Sequence, residues 1–423
     1  MTTPQEPEVL VGARLIDGTG APPVPDAAVV MAGRDIVAAG PRASIKIPDG
    51  APCRDLRGMT LLPGLIDGHV HLRSNAAARR QDVHLWNVLT FTEEQAIHAA
   101  GNAVRALEAG FTTVRDMAGG RLEVSVRHAM DDFVLPGARV VASGFVGMTA
   151  GHGDMFVPPS IPGRMWPTVD GPDAGRRLVR EYARDGVDFI KICTSGGVLS
   201  IGDRNEWRNF TDDEARAIVD EAHALGKRVA AHAHSASGIR QALEAGVDTL
   251  EHGSLLDDEL IEMLLDRNTW LCPTMAISEY IVSEGESRGL PAASLAKARE
   301  MHDAHIDSMC RAYRAGVRLF LGTDSCNTMA FGRHAWELEL MWRQIGMSSM
   351  EVIVAATSAA ADALDLGSVT GAVLAGRRAD LLVVDGDPLA DLTVLQDPAL
   401  IRGIYRDGRL LVDRGLPGFV AAG

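Results

Sequence analysis

The feature that most constrains this chain is a long middle region in which short apolar runs alternate with helical segments. Eight such runs follow one another: GLIDGHVHL, FTTVRDM, ARVVASG, VDFIKIC, RVAAHAH, VDTLEHG, TWLCPTM and VRLFLGTD. Each is apolar or β-branched and reads as a strand. Several of the segments between them carry helix signals. Thr211-Asp212-Asp213-Glu214 has the form of a capping box, ARAIVDEAHALG follows with helical periodicity, and Gly226 closes it. EEQAIHAAGNAVRALEAG and SGIRQALEAG likewise stop at glycine before the next strand. Eight β-then-α units in series predict an α/β fold, a (β/α)8 TIM barrel. A doubly wound open sheet is the alternative, but no GxGxxG follows the first strand.

The two ends read differently. EVLVGARLID, DAAVVMAG, RDIVAAG and MTLLPG near the start, and RADLLVVDG, IRGIYRDG and RLLVDRG near the end, are short strands broken by Gly, Pro and Asp turns. Together they predict one discontinuous, β-sandwich-like antiparallel sheet domain, residues 1–62 and 368–423, built from both termini around a barrel of residues 63–367. That division lets 423 residues fold as a barrel with appended strands.

Five barrel strands end in residues able to bind or orient a metal ion, six residues in all. His69 and His71 lie two apart on the first, so both imidazoles point to one side. Lys191 interrupts the apolar FIKIC of the fourth, where an ammonium ion is costly to bury. His232, His252 and Asp324 end the fifth, sixth and eighth. Taken singly, each has an ordinary explanation: a hydrogen-bonded core histidine, a His252–Glu251 pair, a helix cap at Asp324, an ion-paired lysine. Taken together they converge on one barrel mouth with the imidazole and carboxylate donors that zinc and similar metals prefer. The runs after strands one, three and seven (RSNAAARRQDVHLWNVLTF, GFVGMTAGHGDMFVPPSIPGRMWPTVDG and ISEYIVSEGESRGLPAASL) are longer than tight connections and are expected as loops over that mouth.

On these residues the chain resembles the amidohydrolase superfamily. PGLIDGHVHL is similar to its first-strand signature, and Lys191, His232, His252 and Asp324 follow in the family's order. FIKICTSGGVLS, AHAHSASGIRQALEAGVDTLEHG and the GHGD loop look most like the imidazolonepropionase-related branch, with its prolidase-like dipeptidases, phenylurea hydrolases and ochratoxin-type amidases. The resemblance implies two divalent metal ions, zinc by expectation, bridged by Lys191 after carbon dioxide converts it to N6-carboxylysine. His69, His71, Lys191 and Asp324 would hold one ion; Lys191, His232 and His252 would hold the other. It further implies a hydroxide between the ions as nucleophile, with Asp324 moving its proton to the leaving nitrogen.

Weaker candidates surround this set. His152 of the GHGD loop could bond the oxyanion or a substrate carboxylate, and His234 should share a side with His232. Some dipeptidase-like relatives carry a tyrosine where this chain has His234. Arg204, Trp207 and Arg208 could form a cationic and aromatic rim, and Met148, Met155, Phe156, Met165 and Trp166 an apolar wall. Asp116 reads as a structural partner of Arg115 or of a group that supports the metal ligands.

The expected reaction is hydrolysis of the amide C–N bond of a small N-acyl amino acid or dipeptide-like substrate, ochratoxin-type amides included. A urea, carbamate or thiocarbamate xenobiotic, a lactone or a cyclic amide is the alternative. A non-catalytic oligomeric scaffold is more remote, because such relatives lose ligands that this chain retains. A net charge of −15 argues against nucleic acid or an anionic membrane as partner. There is no membrane-length apolar run and no basic segment leading into an apolar one at the start, and the five cysteines are scattered. A cytoplasmic protein acting on a small-molecule substrate is expected, as a homo-oligomer by likeness to relatives.

Overall fold

The computed structural model describes residues 7–75, 86, 88–157, 160, 166–200 and 202–421. Most of the run after the first barrel strand, and residues 161–165 with Met165, lie outside these. Both ends of the chain contribute to one sheet: β1 (Glu8–Leu15), β2 (Val24–Ala32), β3 (Asp35–Pro41), β4 (Pro52–Asp55) and β5 (Thr60–Pro63) from the start join four strands from residues 381–421. The sheet is mainly antiparallel, as expected, with β4 and β5 added parallel to β1.

The barrel strands follow: β6 (Leu65–Val70), β7 (Phe111–Asp116), β8 (Arg139–Phe145), a short pair β9 (Gly147–Met148) and β10 (Thr168–Val169) within a loop, β11 (Phe189–Cys193), β12 (Val229–Ala233), β13 (Thr249–His252) and β14 (Trp270–Cys272). Omitting the loop pair, β6 to β14 form a parallel sheet in which each strand lies beside its predecessor. Helices on the outside complete the α/β barrel. The eighth expected strand, VRLFLGTD, is extended but pairs only through isolated bridges, Leu271 with Leu319 and Val70 with Ser325. These close the circle, aided by bonds from Gly68 N to Leu321 O (2.9 Å) and Asp324 N to His69 O (2.8 Å). Approach here is so tight that a Cβ on Gly322 would meet Cys272 Sγ at 2.4 Å and His69 Cβ at 2.7 Å.

The capping box at Thr211 is formed, with Glu214 N donating to Thr211 Oγ1 and Thr211 N donating to Glu214 Oε2. The expected loop ISEYIVSEGESRGLPAASL is instead mostly helical. Met275–Arg288 is one helix and Ala292–Ala315 the next, packed together over the barrel mouth. Gly285 sits where Leu290 and Leu295 press close, which allows that contact. Apolar residues around Met275, Ile277, Tyr280 and Ile281 are buried against the barrel and the neighbouring helix, so no single polar face marked the helix in the sequence.

Candidate metal centre

The strand-one histidines open the site. His69, His71 and Asp324 offer ligand atoms within 4.8 Å of one another. His71 Nε2 stands 3.0 Å from Asp324 Oδ1, and His69 Nε2 3.6 Å from the same oxygen. His69 is oriented from behind, its Nδ1 2.8 Å from Glu251 Oε2. Burial drives the His69 pKa down against the pull of Asp324 and Glu251, so the ring is neutral, donates through Nδ1 and turns a lone pair at Nε2 inward. Burial pushes the Asp324 carboxyl upward, but His69 and His71 outweigh it and keep it below its ordinary value, ionised at neutral pH.

The second cluster joins His232, His234 and His252, again within 4.8 Å. Each ring spends one nitrogen outside the cluster: His232 Nε2 on Gly196 O (3.2 Å), His234 Nδ1 on Ser254 Oγ (2.8 Å) and His252 Nδ1 on Thr274 Oγ1 (2.7 Å). The remaining nitrogen of each is left for a ligand. Burial holds all three well below the normal imidazole range, His234 at about 3. Neutral imidazoles with one bonded and one available nitrogen are the donors a divalent cation requires. The rings of His69 and His252 lie 5.0 Å apart, so the two clusters adjoin. His252 (φ +70°), Thr274 (φ +52°) and Asp324 (φ +58°) all take the left-handed conformation that side chains normally avoid, and two of them are candidate ligands.

Lys191 lines the same cavity as both clusters and is buried. Desolvation lowers its pKa, partly offset by Cys193, Glu251 and Asp324. A buried amine that holds its proton less tightly is readier to react with carbon dioxide. The donor chemistry and the buried lysine therefore fit the two-ion expectation.

His152 lies nearly flat on His232, ring centroids 4.3 Å apart, and its Nδ1 is 2.9 Å from Ser200 Oγ. Glycine at 197 is required beneath it, since a Cβ there would meet His152 Cε1 at 2.1 Å. Asp203 anchors this loop through Ser200 Oγ (2.5 Å) and Lys297 Nζ (3.0 Å). Both His152 and His234 line the cavity. Arg204, Trp207 and Arg208 do not; they stand exposed outside it, so the structure does not bring the expected cationic rim to the site. Trp166 lines the cavity, whereas Met148 packs on the core and Met155 lies outside the lining. The apolar wall comes chiefly from Val198, Leu199, Ile277, Ile281, Ala298 and Met301.

Two strand-end carboxylates find partners other than their sequence neighbours. Glu251 does not pair with His252; it bonds His69, Arg115 Nη2 (2.8 Å) and Thr249 Oγ1 (2.5 Å) inside the barrel. Of the two expected roles of Asp116, the pairing with Arg115 is not formed; Asp116 lines the cavity and accepts from Leu72 N (2.7 Å) and Ala118 N (3.1 Å), bracing the end of the first strand beside His71. Sequence reasoning also missed Cys193, whose Sγ lies within 4.8 Å of ligand atoms on His152 and His232. Its place two residues after Lys191 was the available signal, and burial pushes its thiol up to about 12.

Comparison with known proteins follows the same lines. The pattern of the amidohydrolase family matches residues 60–411. Ochratoxinase of Aspergillus niger is 32% identical over 444 residues, taking in 96% of this chain and 87% of that protein. The crystal structure of A. niger ochratoxinase superposes with a TM-score of 0.87 at 29% identity, covering 98% of this chain and 97% of that one. A crystal structure of a Xaa-Pro dipeptidase with methionine bound in its active site gives a TM-score of 0.86 at 31% identity, over 96% and 99%. Imidazolonepropionase of Streptomyces griseus is 25% identical over 428 residues, 94% of this chain and 95% of that protein.

Proposed function

The chain belongs to the amidohydrolase family, and we propose on that premise that it cleaves the amide C–N bond of a small N-acyl amino acid or dipeptide-like substrate with an apolar portion. The observation that carries this reading is the pairing of two adjoining donor clusters with a cavity walled by Ile277, Ile281, Ala298 and Met301. An ochratoxinase and a Xaa-Pro dipeptidase among the relatives support a small substrate over a polymer.

His69, His71 and Asp324 would hold one divalent ion and His232 and His252 the other, zinc being the expected metal, with Lys191 shared between them. Lys191, in its unprotonated amine form, adds to carbon dioxide, forming a C–N bond and releasing a proton. The carbamate that results is anionic, which removes the problem of a buried ammonium ion. When bound, the ions supply Lewis acidity, acidifying a water and polarising the substrate carbonyl. Asp324, ionised and facing the cavity, takes a proton from the attacking water and passes it to the departing nitrogen. His152, held against Gly197, is placed to donate to the oxyanion or to a substrate carboxylate. The apolar wall seats the rest of the substrate and limits water.

The test is to strip the purified protein with a chelator and assay it against N-acyl amino acids, dipeptides, aryl ureas and ochratoxin-like amides. Amide hydrolysis should vanish with the metal and return with zinc, cobalt or manganese. A folded preparation that hydrolyses these amides without divalent metal refutes the reading.

A further inference from the structure

We propose that His334 and Glu337, at the start of the short helix Trp336–Leu340, are positioning residues that each aim one half of the metal centre. The inference rests on the two-ion reading above. Neither residue lines the cavity, and both are fully buried.

His334 Nδ1 donates to Asp67 Oδ2 at 2.7 Å, with the rings of Phe111 and Phe331 each 5.1 Å from the imidazole. Asp67 in turn accepts from His69 N (3.0 Å), Thr323 N (3.0 Å) and Thr323 Oγ1 (2.6 Å). One carboxylate thus ties the backbone of His69 to the residue before Asp324, and His334 sets its direction. This end of the segment governs the cluster of His69, His71 and Asp324.

Glu337 works on the other half. Its two oxygens accept from Met275 N (2.8 Å) and Ala276 N (2.6 Å), the first amides of the helix Met275–Arg288. That helix has no side-chain cap of its own, so the Glu337 carboxyl, from a short helix far along the chain and with its pKa pushed up to about 8 by burial, meets its orphan donors. The residue just before, Thr274, is β-branched yet left-handed, and its hydroxyl meets His252 Nδ1 at 2.7 Å. By pinning the two amides that follow, Glu337 holds this strained turn and with it the ring of His252.

Such an arrangement predicts a split that a generally stabilising network would not produce. Metal-free full-length protein is titrated with zinc and, for cadmium NMR, with cadmium; melting of each metal-free variant is followed separately. The unsubstituted protein should take up two ions. His334→Phe should weaken the ion held by His69, His71 and Asp324 by about ten- to a hundredfold and leave the other within about twofold. Glu337→Gln and Thr274→Ala should do the reverse. His334→Asn, which returns an N–H near the Nδ1 position, should recover much of the loss. The proposal is overturned if the variants keep both affinities, if they weaken both ions alike, or if His334→Asn is no better than His334→Phe. Should His334→Phe fail to fold, Glu337→Gln and Thr274→Ala decide the matter. Unsubstituted protein that binds no second ion refutes the two-ion reading itself, and this proposal with it.

Discussion

Replacing Glu251 by glutamine keeps its shape and removes its charge, and the structure says what that loss does. The carboxylate, fully buried, accepts from His69 Nδ1 at 2.8 Å, from Arg115 Nη2 at 2.8 Å and from Thr249 Oγ1 at 2.5 Å. Burial raises its pKa, but Arg115 and His69 outweigh that and hold it well below the usual carboxylate range. Because His69 is itself kept neutral by burial, their contact is an N–H donating to a carboxylate. A glutamine oxygen still serves Arg115 and Thr249, but its amide nitrogen meets His69 donor against donor. His69 must then reverse its tautomer and carry a proton on Nε2, where an ion is to bind. Arg115 keeps Gly68 O (2.6 Å) and the faces of Phe189 and Phe320, which temper the loss of its counter-charge. The expected destabilisation is therefore about 3 kcal/mol, the low end for breaking a buried pair. Zinc affinity should fall about ten- to a hundredfold. Urea unfolding of the metal-free proteins and zinc competition against a chelating indicator measure the two. The folded pKa of Glu251 lies below its unfolded value, so its stabilisation is present above about pH 4.3 and is lost as pH falls through the folded value. The gap between wild type and variant should accordingly close in acid. A variant as stable as wild type at neutral pH, with unchanged zinc affinity, would refute this account of Glu251.

Other expectations concern the site directly. Lys191→Ala should abolish bound metal, measured by elemental analysis, with short carboxylic acids restoring part of the activity by replacing the carbamate. Asp324→Asn should retain more metal than Lys191→Ala yet lose roughly 10²–10⁴ in kcat, since proton transfer is its task; full activity there contradicts the proton shuttle. Burial holds His234 at about 3 and His305 at about 4, both below the unfolded imidazole value. The unfolded chain therefore binds more protons, and the stability of metal-free protein should be fully present above about pH 6.5 and decline as pH falls toward those folded values. Acid unfolding curves check this, and His234→Gln should flatten that limb; an unchanged limb would show that His234 is not buried neutral.

Much of the barrel was legible because its signals are local. Strand runs alternated with capped and glycine-terminated segments, and five of the eight runs carried a candidate ligand at their ends. The helix Met275–Arg288 was missed because its buried positions are not confined to one face and its N-terminal amides are satisfied by Glu337, far along the chain. The cationic rim of Arg204, Trp207 and Arg208 was an inference from residue type alone, and the loop turns those side chains to solvent. Glu251 entered only as an ordinary partner for His252. Strand parity in fact sends it with Thr249 into the barrel interior, where Arg115 and His69 wait.

By itself the sequence determined the order of strands and helices and the types of donor at their ends, since periodicity, caps and alternation act over a few residues. Which donors meet is a different matter. His69 and His252 adjoin, Asp324 faces His71, and His334 reaches Asp67 only because the barrel closes and brings the first strand against the last. Tautomer, charge state and the direction of each lone pair then follow from burial and from partners remote in sequence, and those only the tertiary structure decided.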